Sequence, residues 1–443
     1  MTFTYHKPVN FVLSPSLFYL PTRKKVHLLT LYVCTLLILG IFHFPCFGTP
    51  FPGNKSLEPQ SVQTNTRTNS SRFSGIPPVR VLLTARPVNT LSIHIEGPYD
   101  VLTPGKELLL HSNQPFKGSI KTDHLFFDMG DHHFQENVIE LVPTSQPSLW
   151  IDDHLYRGSV RVMRTSTNRL RAVNYINIED YLASVLNGEM PDSFPQAARS
   201  AQAIAARTYA LYQTKTFGKH STYDLRSGTG SQVYQGVQYR NAKGERIAVE
   251  NRSSRQTINM TRGVVCTHRG KLFCTYYSSI CGGRTTNGKA IFKDAATPLM
   301  SVPCDWCVGS KYYRWKSSVT RNTVERQLQK YFAQKNHSFE QLKEVTIQKA
   351  TRIGNIPLVR ISTTHSAREL SSYVFRLRVS PKKIRSPYFL VQDQGSHFTF
   401  SGRGWGHGVG LCQWGARGQA LAGRSATHIL MHYYPHSELI TVK

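Results

Sequence analysis

The sequence predicts an α+β fold: a β-rich N-terminal region, a mixed α/β core and a peripheral inserted module. Three observations carry this. Short β-type runs punctuated by Gly, Pro and Asn fill residues 79–164; a long helical pattern of small residues begins near Pro195; and residues 311–395 return to short strands around one charged amphipathic stretch. The chain has 443 residues, of which 40% are hydrophobic and 18% charged. That is a globular composition, without the low hydrophobicity of disorder or the repeated apolar spans of a multipass membrane protein.

In order, residues 1–48 form a leader. Arg23, Lys24 and Lys25 precede the apolar stretch Leu28 to Phe44, which reads as a signal peptide or a signal anchor. Cleavage and anchoring both stay open, and either keeps the positive flank cytoplasmic and exports the rest to the periplasm or the cell-wall side of the membrane. Bulky His43, Phe44 and Pro45 before Cys46 argue against lipid attachment. Residues 49–78, rich in Pro, Ser, Thr, Asn and Gln, read as a flexible linker.

Residues 79–164 carry the strand patterns Val79 to Leu83, Leu91 to Ile95, Glu107 to Leu110, Val138 to Val142 and Ser159 to Val162. In the core, residues 165–310, the run Val173 to Ile178 leads into a single helical turn at Glu179 to Leu182, closed by Gly188-Glu189-Met190-Pro191. A helix follows, with Ser193 as N-cap and Pro195 in its first turn. Its face of Ala197, Ala201, Ile204, Ala205, Thr208 and Leu211 predicts close packing on a neighbour. The module at 311–395 contains the amphipathic stretch Val324 to Ala333. Residues 396–443 return to the core, with five glycines between 402 and 410 and then two helical patterns separated at Gly423. Such glycine spacing predicts a loop whose backbone comes very close to something.

Fifty-four Lys and Arg against 26 Asp and Glu leave a formal charge of +28, which acts outward as attraction for polyanions. The absence of a long basic run, zinc-finger spacing or an aromatic RNA-binding signature argues against nucleic acid and leaves anionic lipid and the bacterial wall. Gly283 to Ala290 approaches a phosphate-binding loop, but Ala290 replaces the hydroxyl that would hold Mg²⁺.

Glu189 stands between chain breakers beside an apolar residue. A carboxyl held among apolar neighbours favours its neutral form, which a general acid needs near neutral pH. The same residue also reads as a capping or ion-pairing Glu near a helix start.

The segment from Asn174 to Leu182, then Gly188-Glu189-Met190-Pro191, then Ala201 to Ala210 resembles the opening motif of the SpoIID/LytB family. The likeness continues through Ser231 to Gly236, Thr261 to Val265, Tyr276 to Thr285 and Gly402 to Gly415, and is weakest between 311 and 390. Sporulation members of that family are lytic transglycosylases and others are called amidase enhancers. The resemblance gives Glu189 the position of the catalytic glutamate. It implies cleavage of the MurNAc–GlcNAc bond of peptidoglycan to leave a 1,6-anhydromuramyl end, a preference for strands stripped of stem peptides, and a partner amidase. Alternatives are a non-catalytic glycan-binding enhancer, which needs no acid, and a true hydrolase, which needs a second carboxylate such as Asp180, Asp192 or Asp224.

Around Glu189, Arg207 matches a family position that suggests a role in holding substrate or orienting the glutamate, or else a structural arginine. Gln232 and Tyr234 alternate with Val233 and would face one way in an extended segment, toward a sugar groove or toward solvent. Tyr276, Ser279, His407 and Gln413 are expected in the cleft, whereas Trp405 and Trp414 are expected to pack. Cys281, Cys304 and Cys307 suggest a structural zinc, with Cys274 or a histidine as fourth ligand. Some family members bind zinc near this region, although Ser278 stands where they often have histidine. Disulfides and free thiols remain alternatives, and the lytic reaction needs no metal.

Overall fold

The computed structural model describes residues 76–123, 125–218, 221–348 and 354–442. The apolar stretch Leu28 to Phe44, Cys34, Cys46 and residues 49–75 lie outside the described residues. No described helix is long and apolar enough to cross a membrane. The fold is α+β. Its described α-helices are α1 (Ile178–Glu189), α2 (Gln196–Thr216), α3 (Arg252–Met260), α4 (Arg321–Ala333), α5 (Ser372–Val379), α6 (Gln413–Leu421) and α7 (Ala426–Tyr433).

Two large sheets open the fold. The first runs Leu225–Arg226, Val79–Leu82, Leu170–Ile176, Ser159–Arg164, Val138–Pro143, Tyr99–Leu102 and Leu108–Ser112, antiparallel except for its first pair. The second has eight strands, with Thr90–Ile95 between Leu149–Ile151 and Phe116–Thr122. Period-two patterning explains both. Leu91, Ile93 and Ile95 are buried while Thr90 and Ser92 are exposed, and these side chains share one apolar core with Val79, Val81, Val160 and Val162 of the other sheet. Strands such as Phe116–Thr122 carry a Gly and two Lys, too little apolar alternation to be read from sequence.

Helix α1 has 12 residues rather than the single turn expected at 179–182. The Asn177 side chain accepts the Glu179 N–H, and Tyr181, Leu182, Val185 and Leu186 are buried, so capping and packing carry the helix on to Glu189. Met190 is extended and Pro191 follows. Helix α2 starts one residue after Pro195, which makes no side-chain cap; Ser193 is not the N-cap. Every residue from Ala198 to Leu211 is buried, because α1, α3, α6, α7 and the strand Val264–His268 all pack on α2. Its many alanines make such close approach possible.

Residues 314–403 contain two three-stranded sheets with α4 and α5 around a separate core that includes Val324, Leu328, Phe332, Phe375, Phe398 and Phe400. One of their strands, His397–Arg403, runs directly into the glycine-rich loop. That loop lies against residues 276–286. Trp405 N–H donates to Ile280 O (2.7 Å), Thr286 N–H donates to Gly408 O (2.8 Å), and Leu411–Cys412 pairs in parallel with Tyr277–Ser278. A Cβ at Gly410, where φ is +69°, would stand 2.0 Å from Tyr276 O. What the glycines approach is the protein's own backbone. The near-miss phosphate loop is no helix start, since Gly288–Ala290 forms only a short 3-10 turn.

Candidate active site

Glu189 is the last residue of α1 and stands before the chain breaks at Met190. It therefore lies at the negative end of the helix dipole, which disfavours an anion, and not at the start of the following helix, where an anion would be favoured. Val233 N–H donates to its Oε1 at 2.8 Å, and the Gln413 amide approaches Oε2 at 3.5 Å. Burial pushes its carboxyl above the usual range; Val233, Gln413 and the Tyr277 hydroxyl pull the other way without cancelling the effect. No Lys or Arg among the described residues pairs with it. The cavity beside Glu189 is walled by Pro191, Phe194, Ser279, Tyr312, Trp405, Gln413 and Trp414.

Three sequence-derived candidates, Glu189, Ser279 and Gln413, meet in this wall. Gln413 is placed there as the first residue of α6, and Trp414 N–H donates to Ser279 O (3.1 Å). Trp405 and Trp414 pack as expected, on Tyr312 and Phe194, and also line the cavity, where Trp405 is 36% exposed. Each has a guanidinium on its ring: Arg385 over Trp405 at 4.7 Å and Arg417 over Trp414 at 5.4 Å. Phe194, Tyr312 and Tyr277 were missed by sequence reasoning. Tyr277 had a signal, since in an extended segment it must face opposite to Tyr276.

The remaining candidates lie outside that wall. Arg207 is fully buried and grips the Glu179 carboxylate with Nε (3.0 Å) and Nη2 (2.7 Å), while Nη1 donates to Val264 O (3.1 Å). This is an ion pair joining α1, α2 and the following strand. Gln232 and Tyr234 do share a face, but it points inward. The Gln232 amide donates to Tyr277 Oη (3.0 Å) and its carbonyl accepts from Tyr181 Oη (3.0 Å), while Tyr234 Oη donates to Asn174 (2.7 Å). It is the Val233 backbone between them that reaches Glu189. Tyr276 stacks on Phe292 with 3.8 Å between ring centres and donates its hydroxyl to Asp294 (2.8 Å). His407 packs edge-on against those two rings, and its Nδ1 accepts the Val409 N–H (3.0 Å). Burial pulls His407 down to about 4, so it is neutral near pH 7.

The candidate second carboxylates are engaged elsewhere. Asp224 pairs with Arg80 (2.6 Å), Asp192 with Arg199 (2.8 Å) and Asp180 with Arg255 (3.6 Å), and none of the three is in the wall around Glu189.

Cys281, Cys304, Cys307 and Cys412 are buried with their sulfurs within 4.8 Å of one another. The fourth member is Cys412, not Cys274 or a histidine; Cys274 lies apart, near the Gln213 amide (3.5 Å). None of the six described cysteines is in a disulfide, and the four that converge are soft donors of the kind zinc takes.

The family described as Stage II sporulation protein (SpoIID) matches residues 166–268, and a domain of unknown function (DUF8618) matches residues 307–410. An uncharacterized protein of Brachyspira hyodysenteriae is 31% identical over 285 residues, covering 64% of this chain and 72% of its own. Stage II sporulation protein D of Bacillus amyloliquefaciens is 28% identical over 288 residues, 62% of this chain and 77% of that protein. The Amidase enhancer of Bacillus subtilis is 26% identical over 390 residues, 73% of this chain and 52% of that protein. The segments that build α1, α2 and the strand behind them thus coincide with the matched residues 166–268, and the chain belongs to the SpoIID/LytB family.

Proposed function

We propose that this chain is an exported peptidoglycan lytic transglycosylase, acting in cell-wall remodelling on glycan strands stripped of stem peptides, with Glu189 as its acid and base. The observation that carries this reading is a lone carboxyl, raised by burial and without a cationic partner, in a cavity with aromatic walls. Oε1 is held by Val233, which leaves the more weakly held Oε2 to carry the proton. Protonated Glu189 donates to the glycosidic oxygen as the C1–O bond breaks. The resulting carboxylate accepts the proton of the muramyl 6-hydroxyl as O6 closes onto C1. One carboxyl therefore serves both steps, and no water enters the product. A hydrolase would need a second carboxyl near the first, and Asp180, Asp192 and Asp224 are paired outside the cavity.

Trp405, Trp414, Tyr312 and Phe194 offer flat apolar faces of the kind that pack on sugar rings. The guanidiniums of Arg385 and Arg417 on those walls offer charge to the lactyl carboxylate, which muramic acid exposes once an amidase has removed its peptide. That supports the stripped strand as substrate. The test is mass spectrometry of purified stripped glycan digested with the protein. Products ending in anhydromuramic acid are expected, and reducing ends carrying an added water would replace this reading with hydrolysis. The B. subtilis relative's name favours one second reading, a non-catalytic enhancer of a partner amidase. It predicts that Glu189→Gln still stimulates an added amidase fully and that no glycan is cut by either form.

A further inference from the structure

We propose that Arg199 is the positioning residue for Glu189: its guanidinium grips the chain on both sides of that glutamate, at Asn187 and at Met190, while Asp192 takes up its charge. The side chain is 1% exposed and stands in the first turn of α2. Nothing in that place favours a cation, because burial disfavours charge and the positive end of α2 repels it. What the guanidinium reaches explains it. Nη1 donates to Met190 O (3.3 Å), and Nη2 donates to Asn187 Oδ1 (2.8 Å) and pairs with Asp192 Oδ1 (2.8 Å). The last carbonyls of a helix have no partner within it, so Met190 O, where α1 breaks, takes its donor from the next helix.

The grip is itself braced. Asn187 donates its side-chain N–H to Val249 O (2.8 Å), an atom that only accepts, and this turns Oδ1 toward Arg199. Asp192 accepts through its second oxygen from the side chain of Asn251, the N-cap of α3. The Val233 segment also lies against this turn, since a Cβ at Gly188 would stand 2.6 Å from Val233 O. Glu189 thus sits in a turn held by α2, α3 and Val233, and a shift of that turn would carry its carboxyl away from the Val233 N–H and the Gln413 amide. Position and charge are kept apart. Asp192 opposes burial in keeping the guanidinium ionised, and Arg199 does not pair with Glu189. The effect on glycan cleavage rests on the reading of Glu189 given above; the grip on α1 does not.

The test uses the full chain and stripped glycan. Arg199→Met keeps most of the side chain's bulk and removes every donor. It should lower kcat for anhydromuramyl release about tenfold and change KM by no more than about twofold, because a misplaced reacting group slows the step without loosening substrate. Arg199→Lys retains the charge but lacks the fork that bridges Asn187 and Met190, so it should not restore kcat. Arg80→Met strips a different ion pair, the one with Asp224, and should lower thermal stability while the folded protein keeps its kcat. Amide hydrogen exchange across residues 187–190 should speed about tenfold in Arg199→Met. Full kcat in Arg199→Met, rescue by Arg199→Lys, an equal fall in Arg80→Met, or unaltered exchange would each overturn the proposal. If Arg199→Met fails to fold, Asn187→Ala, which removes one of the two grips, should lower kcat about threefold at constant KM, and an unchanged kcat would overturn the proposal. Unaltered protein that cuts no glycan would sink the reading of Glu189, and the exchange measurement would then still decide whether Arg199 holds the turn.

Discussion

The two ends of α1 each hold a glutamate, and the protein treats them oppositely. Glu179, in the first turn, is buried against Arg207, receives two guanidinium hydrogen bonds and also accepts the Gly263 N–H at 3.2 Å. Charge there is compensated by a cation and by the helix dipole. Glu189, in the last turn, faces a cavity, has only neutral partners (the Val233 N–H at 2.8 Å, the Gln413 amide at 3.5 Å and the Tyr277 hydroxyl), and stands at the end of the helix that repels its charge. The first carboxylate ties three elements together. The second is left free to gain and lose a proton. A glutamate paired with a cation and a glutamate left without one are thus separated by environment, ten residues apart on one helix.

Breaking the uncompensated end gives the largest expected effect. Glu189→Gln should lower release of anhydromuramyl product about 10³-fold, within the range by which a positioned acid speeds reactions. Liquid chromatography of digested glycan measures it. The fold should survive and even gain. Because burial raises the folded-state pKa of Glu189, its protonated form is fully tolerated below the unfolded-state pKa, and stability is lost as pH rises through the folded value. Glutamine removes that loss, so the thermal midpoint of Glu189→Gln at pH 7 should equal or exceed that of the unaltered protein.

The compensated end should answer with stability. Arg207→Met leaves Glu179 buried without its cation and should destabilise the fold by about 3 kcal/mol. Arg207→Met combined with Glu179→Gln should recover part of this in denaturant unfolding. A fall in activity at constant stability, with no such recovery, would instead give Arg207 a direct part in the reaction.

The sequence made the architecture legible where apolar periodicity is strong. The alternation in Leu91 to Ile95 and the alanine face of α2 set strand and helix without ambiguity. It failed where geometry depends on distant chain. Whether Tyr276 or Tyr277 faces Glu189 is decided by the parallel pairing with Leu411–Cys412, more than 130 residues away, and no local pattern encodes that register. The same holds for Cys412. It carries no C-x-x-C signature of its own and joins the other three sulfurs only because the glycine-rich loop runs along residues 276–286. The tryptophans pack as expected, Trp414 on Phe194 and Trp405 on Tyr312, but sequence did not show that the same rings also wall a cavity, because such a wall is a packed core with one side missing.

A smaller effect is expected from the walls. Trp414→Ala removes a ring that packs edge-on against Phe194 with 5.3 Å between centres, and it should raise the KM for glycan about tenfold with kcat changed less, a loss near 1.4 kcal/mol in binding. A fall in kcat at constant KM would mean that the ring positions Glu189 rather than sugar.

The finest test alters the charge balance around Glu189 through Gln413. The free enzyme must hold Glu189 protonated to donate, so kcat/KM is high below its pKa and falls as pH rises through it. Burial sets that limb above the usual carboxylate value of 4.5, and the Gln413 amide, which favours the ionised form, holds it partly down. Removing the amide in Gln413→Ala should therefore move the limb to higher pH. At 3.5 Å the hydrogen bond is near its limit, so the effect should be about 0.5 kcal/mol, or roughly twofold at the midpoint. Gln413→Lys should do the opposite. An ammonium placed beside Glu189 gives it the compensation that Arg207 gives Glu179, which should draw the limb to lower pH and reduce cleavage at neutral pH. If both variants shift the limb in the same direction, Glu189 is not the group that titrates, and the contrast between the two ends of α1 does not govern the chemistry.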